Sequence, residues 1–100
     1  MTEVLVAFDT ATVAPDGSRW TPRACGGRAV DGLWEGWIEF ASTDGPSVTL
    51  RTARETEQPN RADLQYWATG LTQVYLEGAL SRAIATARSA PPSRRPDATP

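Results

Sequence analysis

Three Asp-Gly pairs divide the first half of the chain. They are Asp16-Gly17, Asp31-Gly32 and Asp44-Gly45, at intervals of 15 and 13 residues. A tight hairpin turn needs positive φ at its central residues, which glycine adopts freely and aspartate tolerates. Because β-rich segments lie between the pairs, three such turns predict four antiparallel strands in a meander. The pattern constrains the architecture and indicates no chemistry.

Alternating apolar and polar residues predict the extent of each strand. The first strand is expected over residues 3–13, the second over 19–30, the third over 33–41 and the fourth from Val48 to about Arg54. Pro22 and the glycines at positions 26 and 27 weaken the second strand and favour an edge position or a bulge. In the third strand, Trp34, Gly36, Ile38 and Phe40 share the predicted core face, whereas Glu35, Trp37 and Glu39 occupy the opposite face.

The C-terminal half predicts helices that cover the core face. Asn60 suits an N-cap, and a first apolar stripe runs from Leu64 to Leu71. The stripe then rotates by roughly 100 to 200°, which favours a helix that ends near Thr69 and a second helix capped by Thr72. A continuous helix kinked at Gly70 and a short strand at residues 74–77 are the alternatives.

The predicted fold class is therefore α+β. It is a four-stranded antiparallel β-meander with one face covered by a C-terminal helix or a kinked helix pair. Residues 1–88 are expected to form a single domain, since about 88 residues suffice for one thin core. Residues 89–100, with four prolines and two arginines, are expected to form a disordered tail.

Composition limits the classes of function. A net charge of -2 and a pI near 5.0 argue against a generic polyanion binder. The chain has no histidine and only Cys25, so we expect no internal disulfide, zinc site, cofactor or enzymatic activity. The first eight residues have no cationic region before an apolar run, so we expect neither a signal peptide nor a membrane association, and a cytoplasmic location.

Trp37 is the leading candidate for partner binding. A two-residue loop at Asp31-Gly32 would place Gly26 opposite Trp37 and Arg28 diagonally within reach of its ring. An odd-numbered loop at residues 44–46 would place Glu39 opposite Arg51. The outer sheet face would then carry a tryptophan surrounded by charges, which can bind a protein or stack on nucleic-acid bases. The structural alternatives are a solvated face with paired charges, or a tryptophan covered by the first strand or the tail.

A second candidate lies where the sheet leads into the first helix. Arg51, Arg54 and Arg61 there could bind an anion together with the helix N-terminus. The nearby Glu55, Glu57 and Asp63 favour internal ion pairing instead.

Several segments resemble a small bacterial protein family with no assigned activity. The resemblance covers about half of the chain and implies no catalytic or binding residues. More loosely, four strands followed by a helix is similar to the layout of Pur-alpha-type single-stranded nucleic-acid-binding modules, and sheet-plus-helix antitoxins are a looser match. The segments concerned are Trp34-Glu-Gly-Trp-Ile-Glu-Phe40, Arg54-Glu-Thr-Glu-Gln-Pro-Asn-Arg-Ala-Asp63, Tyr66-Trp-Ala-Thr-Gly-Leu71 and Tyr75-Leu-Glu-Gly-Ala-Leu80.

The sequence therefore favours a non-enzymatic protein-protein interaction module that binds an unknown protein partner or a second copy of itself. The alternative is a single-stranded nucleic-acid-binding module of ββββα layout. The residues expected to bind the partner are Trp37, Arg28, Arg51, Arg54 and Arg61.

Overall fold

The computed structural model describes residues 2–89 as an antiparallel sheet with two helices on one face. The elements are β1 (Thr2–Ala7), β2 (Thr12–Val13), β3 (Arg19–Arg28), β4 (Trp34–Ser42), β5 (Thr49–Arg51), β6 (Thr56–Gln58), α1 (Arg61–Thr69) and α2 (Gln73–Ser89). The sheet order is β1-β3-β4-β5, with β2 also paired to β3 and β6 also paired to β4. The predicted α+β meander is confirmed. Its predicted first strand is divided into β1 and β2, its fourth corresponds to β5, and β6 is a further strand beyond the predicted end at Arg54.

The first two Asp-Gly turns have the same geometry. In each, the glycine N–H donates to a carbonyl three residues earlier, from Gly17 to Ala14 at 2.9 Å and from Gly32 to Ala29 at 3.0 Å. Both glycines have positive φ, 87° and 86°, and no other residue type does among residues 2–89. This is a three-residue loop with a left-handed glycine at its end. The two-residue loop expected at Asp31-Gly32 is wrong.

The longer loop shifts the register of β3 against β4 by one residue. Cys25, not Gly26, lies opposite Trp37. Arg28 lies opposite Trp34, on the helix side of the sheet, so the expected place of Arg28 beside the Trp37 ring is wrong. The physical reason is that Asp31 does not take the positive φ that a two-residue turn requires. Its carboxylate instead accepts a hydrogen bond from the Leu33 N–H at 3.0 Å, which stabilises the three-residue loop.

The register predicted for the strands on either side of the third turn is confirmed. Glu39 lies opposite Arg51, so the expected pairing of these strands is confirmed. The loop is longer than residues 44–46, because the Ser42 N–H bonds to the Val48 carbonyl at 2.8 Å and encloses residues 43–47. An odd number of loop residues is preserved, and with it the face on which each side chain lies.

The expectation of an edge position for the second strand is wrong, because β3 lies between β1 and β4. Pro22 is tolerated there because it faces Phe40 across a pair that exchanges no backbone hydrogen bonds with β4. Its carbonyl still accepts the Phe8 N–H at 3.2 Å. A bulge does occur, but in β1, between Val4 and Val6.

Two capped helices follow the sheet, as predicted. Asn60 caps α1 by accepting the Asp63 N–H at 2.8 Å. The Thr72 hydroxyl caps α2 by accepting the Tyr75 N–H at 3.2 Å. Gly70 is the C-cap of α1 with φ of -91°, a right-handed conformation, so the break does not use the left-handed C′ geometry that was expected. The continuous helix and the strand at residues 74–77 are excluded.

The core lies between the sheet and the helices. Ile38 and Phe40 of β4 pack in one cluster with Leu76 and Leu80 of α2. Neither described helix has the length and apolarity that a membrane crossing requires. The predicted tail falls on residues 90–100, outside the described part of the chain, except for Ser89, the last residue of α2.

Helix α1 packs closely on two facing glycines. Gly26 and Gly36 lie opposite each other on the helix side of the sheet. A Cβ at Gly26 would stand 2.6 Å from Leu64 Cδ2, and one at Gly36 would stand 2.6 Å from Trp67 Cζ3. Gly26 of β3 and Gly36 of β4 therefore allow the close approach of α1.

Candidate functional site

The sheet face opposite the helices, here called the outer face, carries Trp37. The predicted face of Trp37 is therefore right, although its side chain is only 5% exposed. The Arg51 guanidinium lies over the indole ring, with its central carbon 4.0 Å from the ring centroid. The indole Nε1 donates to Glu39 Oε2 at 3.1 Å. Neighbouring side chains of the sheet thus cover the ring.

Glu39 connects Trp37 to the adjacent strand. Arg23 donates to Glu39 Oε1 from both Nε, at 3.0 Å, and Nη2, at 2.8 Å. Burial by itself raises the pKa of Glu39, but hydrogen bonds from Arg23 and Trp37, together with the charges of Arg23 and Arg51, hold that pKa below its ordinary value. Glu39 is therefore a carboxylate at neutral pH, and it orders Arg23 and the Trp37 ring.

Beside this network lies a shallow depression of about 170 Å³. Gly27 of β3 lies opposite Glu35 of β4, and the missing side chain leaves room on the outer face. Of the predicted binding residues, Trp37 and Arg51 line this space from the outer face. Arg28, the last residue of β3, borders it but pairs with Trp34 on the helix side of the sheet. The full lining is Thr2, Gly27, Arg28, Ala29, Glu35, Trp37 and Arg51.

The charged side chains of the depression have no ion-pair partner within the described residues. No oppositely charged group lies within 4.0 Å of Arg28, Arg51 or Glu35 in residues 2–89. On the outer face, Arg51 and Glu35 thus share a small area without an ion pair among the described residues, and Arg51 is stacked on the Trp37 ring.

The other two predicted binding residues lie elsewhere and are paired internally. Arg54 binds Glu57 at 3.0 Å. Arg61 holds Glu3 with two hydrogen bonds of 2.9 and 2.7 Å, and these bonds lower the pKa of Glu3. The structure therefore does not assemble Arg51, Arg54 and Arg61 into one anion site, and internal ion pairing describes Arg54 and Arg61.

Arg23, Gly27 and Glu35 were not singled out from the sequence as site residues. The signal that could have found them is the loop length. A three-residue loop at residues 30–32 pairs Arg23 with Glu39 and Gly27 with Glu35, as the structure does. The predicted two-residue loop gave neither of these pairs, because it shifts β3 by one residue against β4.

A second concave region lies between the first turn and α2. It comprises adjoining spaces of about 210 and 400 Å³ that share Ala14, Pro15 and Ser81. Val13 and Val74 line it and are exposed. At one end Arg88 lies 4.0 Å from Asp16.

The remaining candidates for chemistry are few. Cys25 is buried on the outer face, where burial raises the pKa of its thiol. Within residues 2–89, no three His, Cys, Asp or Glu side chains are grouped as metal ligands would be. No protein-family model matches the chain, and no curated protein or solved structure is found to be similar to it. The functional argument therefore depends on the geometry of the outer face.

Proposed function

We propose that this chain is a non-enzymatic protein-protein interaction module whose contact surface is the outer face around Trp37. The observation that carries the proposal is the depression beside Trp37, in which Arg51 and Glu35 have no ion-pair partner among residues 2–89. Both helices pack on the opposite side of the sheet, so no element within residues 2–89 covers this face.

The surface has the composition of a binding site. Tryptophan and arginine are the residue types enriched where interfaces gain most of their affinity. Here Arg51 is stacked on Trp37, and Trp37 is hydrogen-bonded to Glu39. Because these side chains are already ordered, less conformational entropy is lost when a partner binds.

Binding of single-stranded nucleic acid has weaker support from the same geometry. A base can stack on Trp37 only if Arg51 leaves the ring, since the side chain is 5% exposed. The acidic pI of about 5.0 also opposes a polyanion. A titration of the purified chain with a labelled oligonucleotide at low salt separates the two functions, and we expect no binding.

The proposal is tested by site-specific photo-crosslinking in the native cells. A benzophenone amino acid replaces Val4, which is 53% exposed on the outer face beside Cys25. The matched control carries it at Val74 of α2, which is 78% exposed on the helix side. We expect a discrete protein adduct from position 4 that forms again with purified components and, from position 74, no adduct with any protein other than this chain.

Two results would count against the proposed function. One is the absence of any protein adduct at position 4. The other is the same set of adducts from both positions, which would indicate contact without a specific surface. Oligonucleotide binding at low salt that is lost in Arg51→Gln would favour the nucleic-acid alternative.

A further inference from the structure

We infer that α2 is a contact surface for a second copy of this chain, and that the α2 helices of the two copies pack antiparallel about a two-fold axis. The contact uses the second concave region, between the first turn and α2. It is separate from the outer face, so the inference does not rest on the proposed function.

The part of α2 that lines the concave region repeats with heptad spacing. Positions 74, 81 and 88 are seven residues apart, and so are positions 77 and 84 and positions 78 and 85. These are positions a, d and e of a heptad, the repeat with which one helix packs along another. At 100° per residue this second face lies roughly 150° around the helix from Leu76 and Leu80, which enter the core. One helix therefore carries two faces, and only one of them is used by the core.

The second face is exposed and partly apolar. Val74 is 78% exposed, and six of its seven positions are exposed, with Ile84 half-buried. Val13, on the opposite wall of the concave region, is also exposed. A helix laid in this region would bury these apolar side chains, which is the main favourable term in association.

The two charged residues of this face fit an antiparallel copy. Glu77 lies near the start of α2 and Arg88 near its end. When two chains run in opposite directions, the residue numbers of facing positions keep a constant sum. The register that sets Glu77 beside Arg88 of the second copy therefore also sets Ser81 beside Ile84 of that copy. A two-fold contact uses the patch twice, so the dimer has two Glu-Arg pairs.

A parallel arrangement of the same faces is opposed by the same charges. It would set Glu77 beside Glu77 of the second copy and Arg88 beside Arg88. Like charges in a contact are unfavourable and act against the wrong arrangement. The charge pattern thus favours one direction of packing, and it fits a copy of this chain because the two signs complement each other only after a reversal of direction.

Both charged side chains are available for this pairing. Glu77 has no oppositely charged group within 4.0 Å in the part of the chain that the structure describes. Arg88 lies 4.0 Å from Asp16, with 73% and 55% of the two side chains exposed. Exposed pairs of this kind contribute about 0 to 1 kcal/mol. Asp16 already accepts two hydrogen bonds from Ser18, so Arg88 can turn to a partner at little cost.

Gly78 is a second sign of a close neighbour on this face. A Cβ at this position would have only the Arg82 side chain within 4 Å, at 3.6 Å, so packing within residues 2–89 does not require glycine. Glycine inside a helix nevertheless costs about 1 kcal/mol relative to alanine. In the antiparallel register Gly78 flanks Ala85 of the second copy, and these two small residues allow the helices to approach closely.

The experiment is sedimentation equilibrium of the purified full chain with charge-reversal variants. We expect the wild-type chain to form a reversible dimer that weakens as salt rises, because Glu77 and Arg88 are exposed. Glu77→Arg sets two arginines together and Arg88→Glu sets two glutamates together. Each variant is expected to dissociate at least about tenfold more readily than wild type.

The chain that carries both Glu77→Arg and Arg88→Glu is the decisive variant. Its two charges are exchanged, so the antiparallel pairs are restored in reverse and the dimer is expected to return. A mixture of the two single variants is expected to form a mixed dimer for the same reason, which also shows that both are folded. The matched control is Thr86→Glu, an exposed position of α2 outside the concave region, which is expected to dimerise as wild type does.

Three outcomes would overturn the inference: a wild-type chain that is monomeric at all concentrations, single variants that dimerise unchanged, or a double variant that stays monomeric. In the photo-crosslinking experiment, position 74 is expected to give only an adduct of two copies. If position 4 captures a different protein while the purified chain is monomeric, the interaction module stands and self-association does not.

Discussion

Thr12 and Thr52 are both buried, but among the described residues only the Thr52 hydroxyl forms a hydrogen bond. The Thr52 hydroxyl accepts the Ile38 N–H at 3.1 Å, while the Thr52 N–H donates to the Ile38 carbonyl at 2.9 Å. The Thr52 side chain thus continues the hydrogen-bond ladder along β4 across the gap between β5 and β6, where the backbone pairing is interrupted. The Thr12 hydroxyl, by contrast, has no hydrogen-bond partner among the described residues.

Replacement of each threonine by valine is expected to have different effects. Thr52→Val leaves a buried N–H without an acceptor, which costs about 1 to 3 kcal/mol of unfolding free energy. Thr12→Val removes a buried group that forms no hydrogen bond, so it is expected to be neutral or stabilising. Urea unfolding of both variants measures the difference. Equal destabilisation would contradict the assigned hydrogen bonding.

Glu39 is expected to stabilise the fold at neutral pH. Burial raises its pKa, but hydrogen bonds from Arg23 and Trp37 outweigh burial, so the folded pKa lies below the unfolded one. Its contribution is complete above the unfolded pKa of about 4.3 and is lost as pH falls through the lower, folded pKa. Carboxyl titration by NMR is expected to show the lowered value and its rise in Arg23→Gln. A Glu39 pKa unaffected by Arg23→Gln would show that Arg23 does not set it.

Trp37 shows which properties of a single residue can be predicted from sequence. Strand alternation alone places it on the outer face, because side chains alternate strictly along β4. The burial of the Trp37 side chain could not be predicted, because it depends on where the Arg51 and Glu39 side chains lie across two strands. The predicted position of Arg28 was wrong for a related reason, because one extra loop residue shifts every pairing of β3 against β4.

At the scale of elements, local chemistry predicted the ends of helices better than the ends of strands. Asn60 and Thr72 mark helix starts through contacts within three residues, so sequence suffices to find them. The division of β1 from β2 and of β5 from β6 depends on partners elsewhere in the sheet. The role of Gly26 likewise appears only when α1 is packed on it.

Two glycine-to-alanine changes are expected to have opposite signs. In Gly26→Ala the new Cβ would stand 2.6 Å from Leu64 Cδ2 and 2.7 Å from the Glu35 carbonyl oxygen, so α1 and the sheet must separate. Overpacking of this kind costs about 1 to 3 kcal/mol. In Gly78→Ala the nearest atom is the Arg82 side chain at 3.6 Å.

Gly78→Ala serves as the matched control, because alanine in the interior of an exposed helix gains up to about 1 kcal/mol over glycine. Thermal unfolding followed by circular dichroism compares both variants with wild type. We expect the melting temperature to fall for Gly26→Ala and to rise for Gly78→Ala. A Gly26→Ala variant as stable as wild type would show that α1 does not need the close approach.

At the scale of the whole molecule, α2 is attached to the sheet in two ways. Leu76 and Leu80 enter the same core cluster as Ile38 and Phe40. At the surface, Glu55 accepts hydrogen bonds from Tyr75 and from Arg82, the latter at 2.6 Å. One apolar cluster that joins the helix to β4 implies that sheet and helix unfold together.

Leu80→Ala tests this cooperativity. Removal of a fully buried leucine costs about 2 to 5 kcal/mol, a large share of the roughly 5 to 15 kcal/mol by which domains are stable. Because Leu80 contacts the core shared by both layers, tryptophan fluorescence and far-UV circular dichroism are expected to report one coincident transition at a lower urea midpoint. Val74→Ala, exposed on the same helix, is expected to change the free energy of unfolding by no more than about 0.5 kcal/mol. If Leu80→Ala melted the helix signal before the fluorescence signal, α2 would be a separate folding unit, and the common core would not be what holds the two layers together.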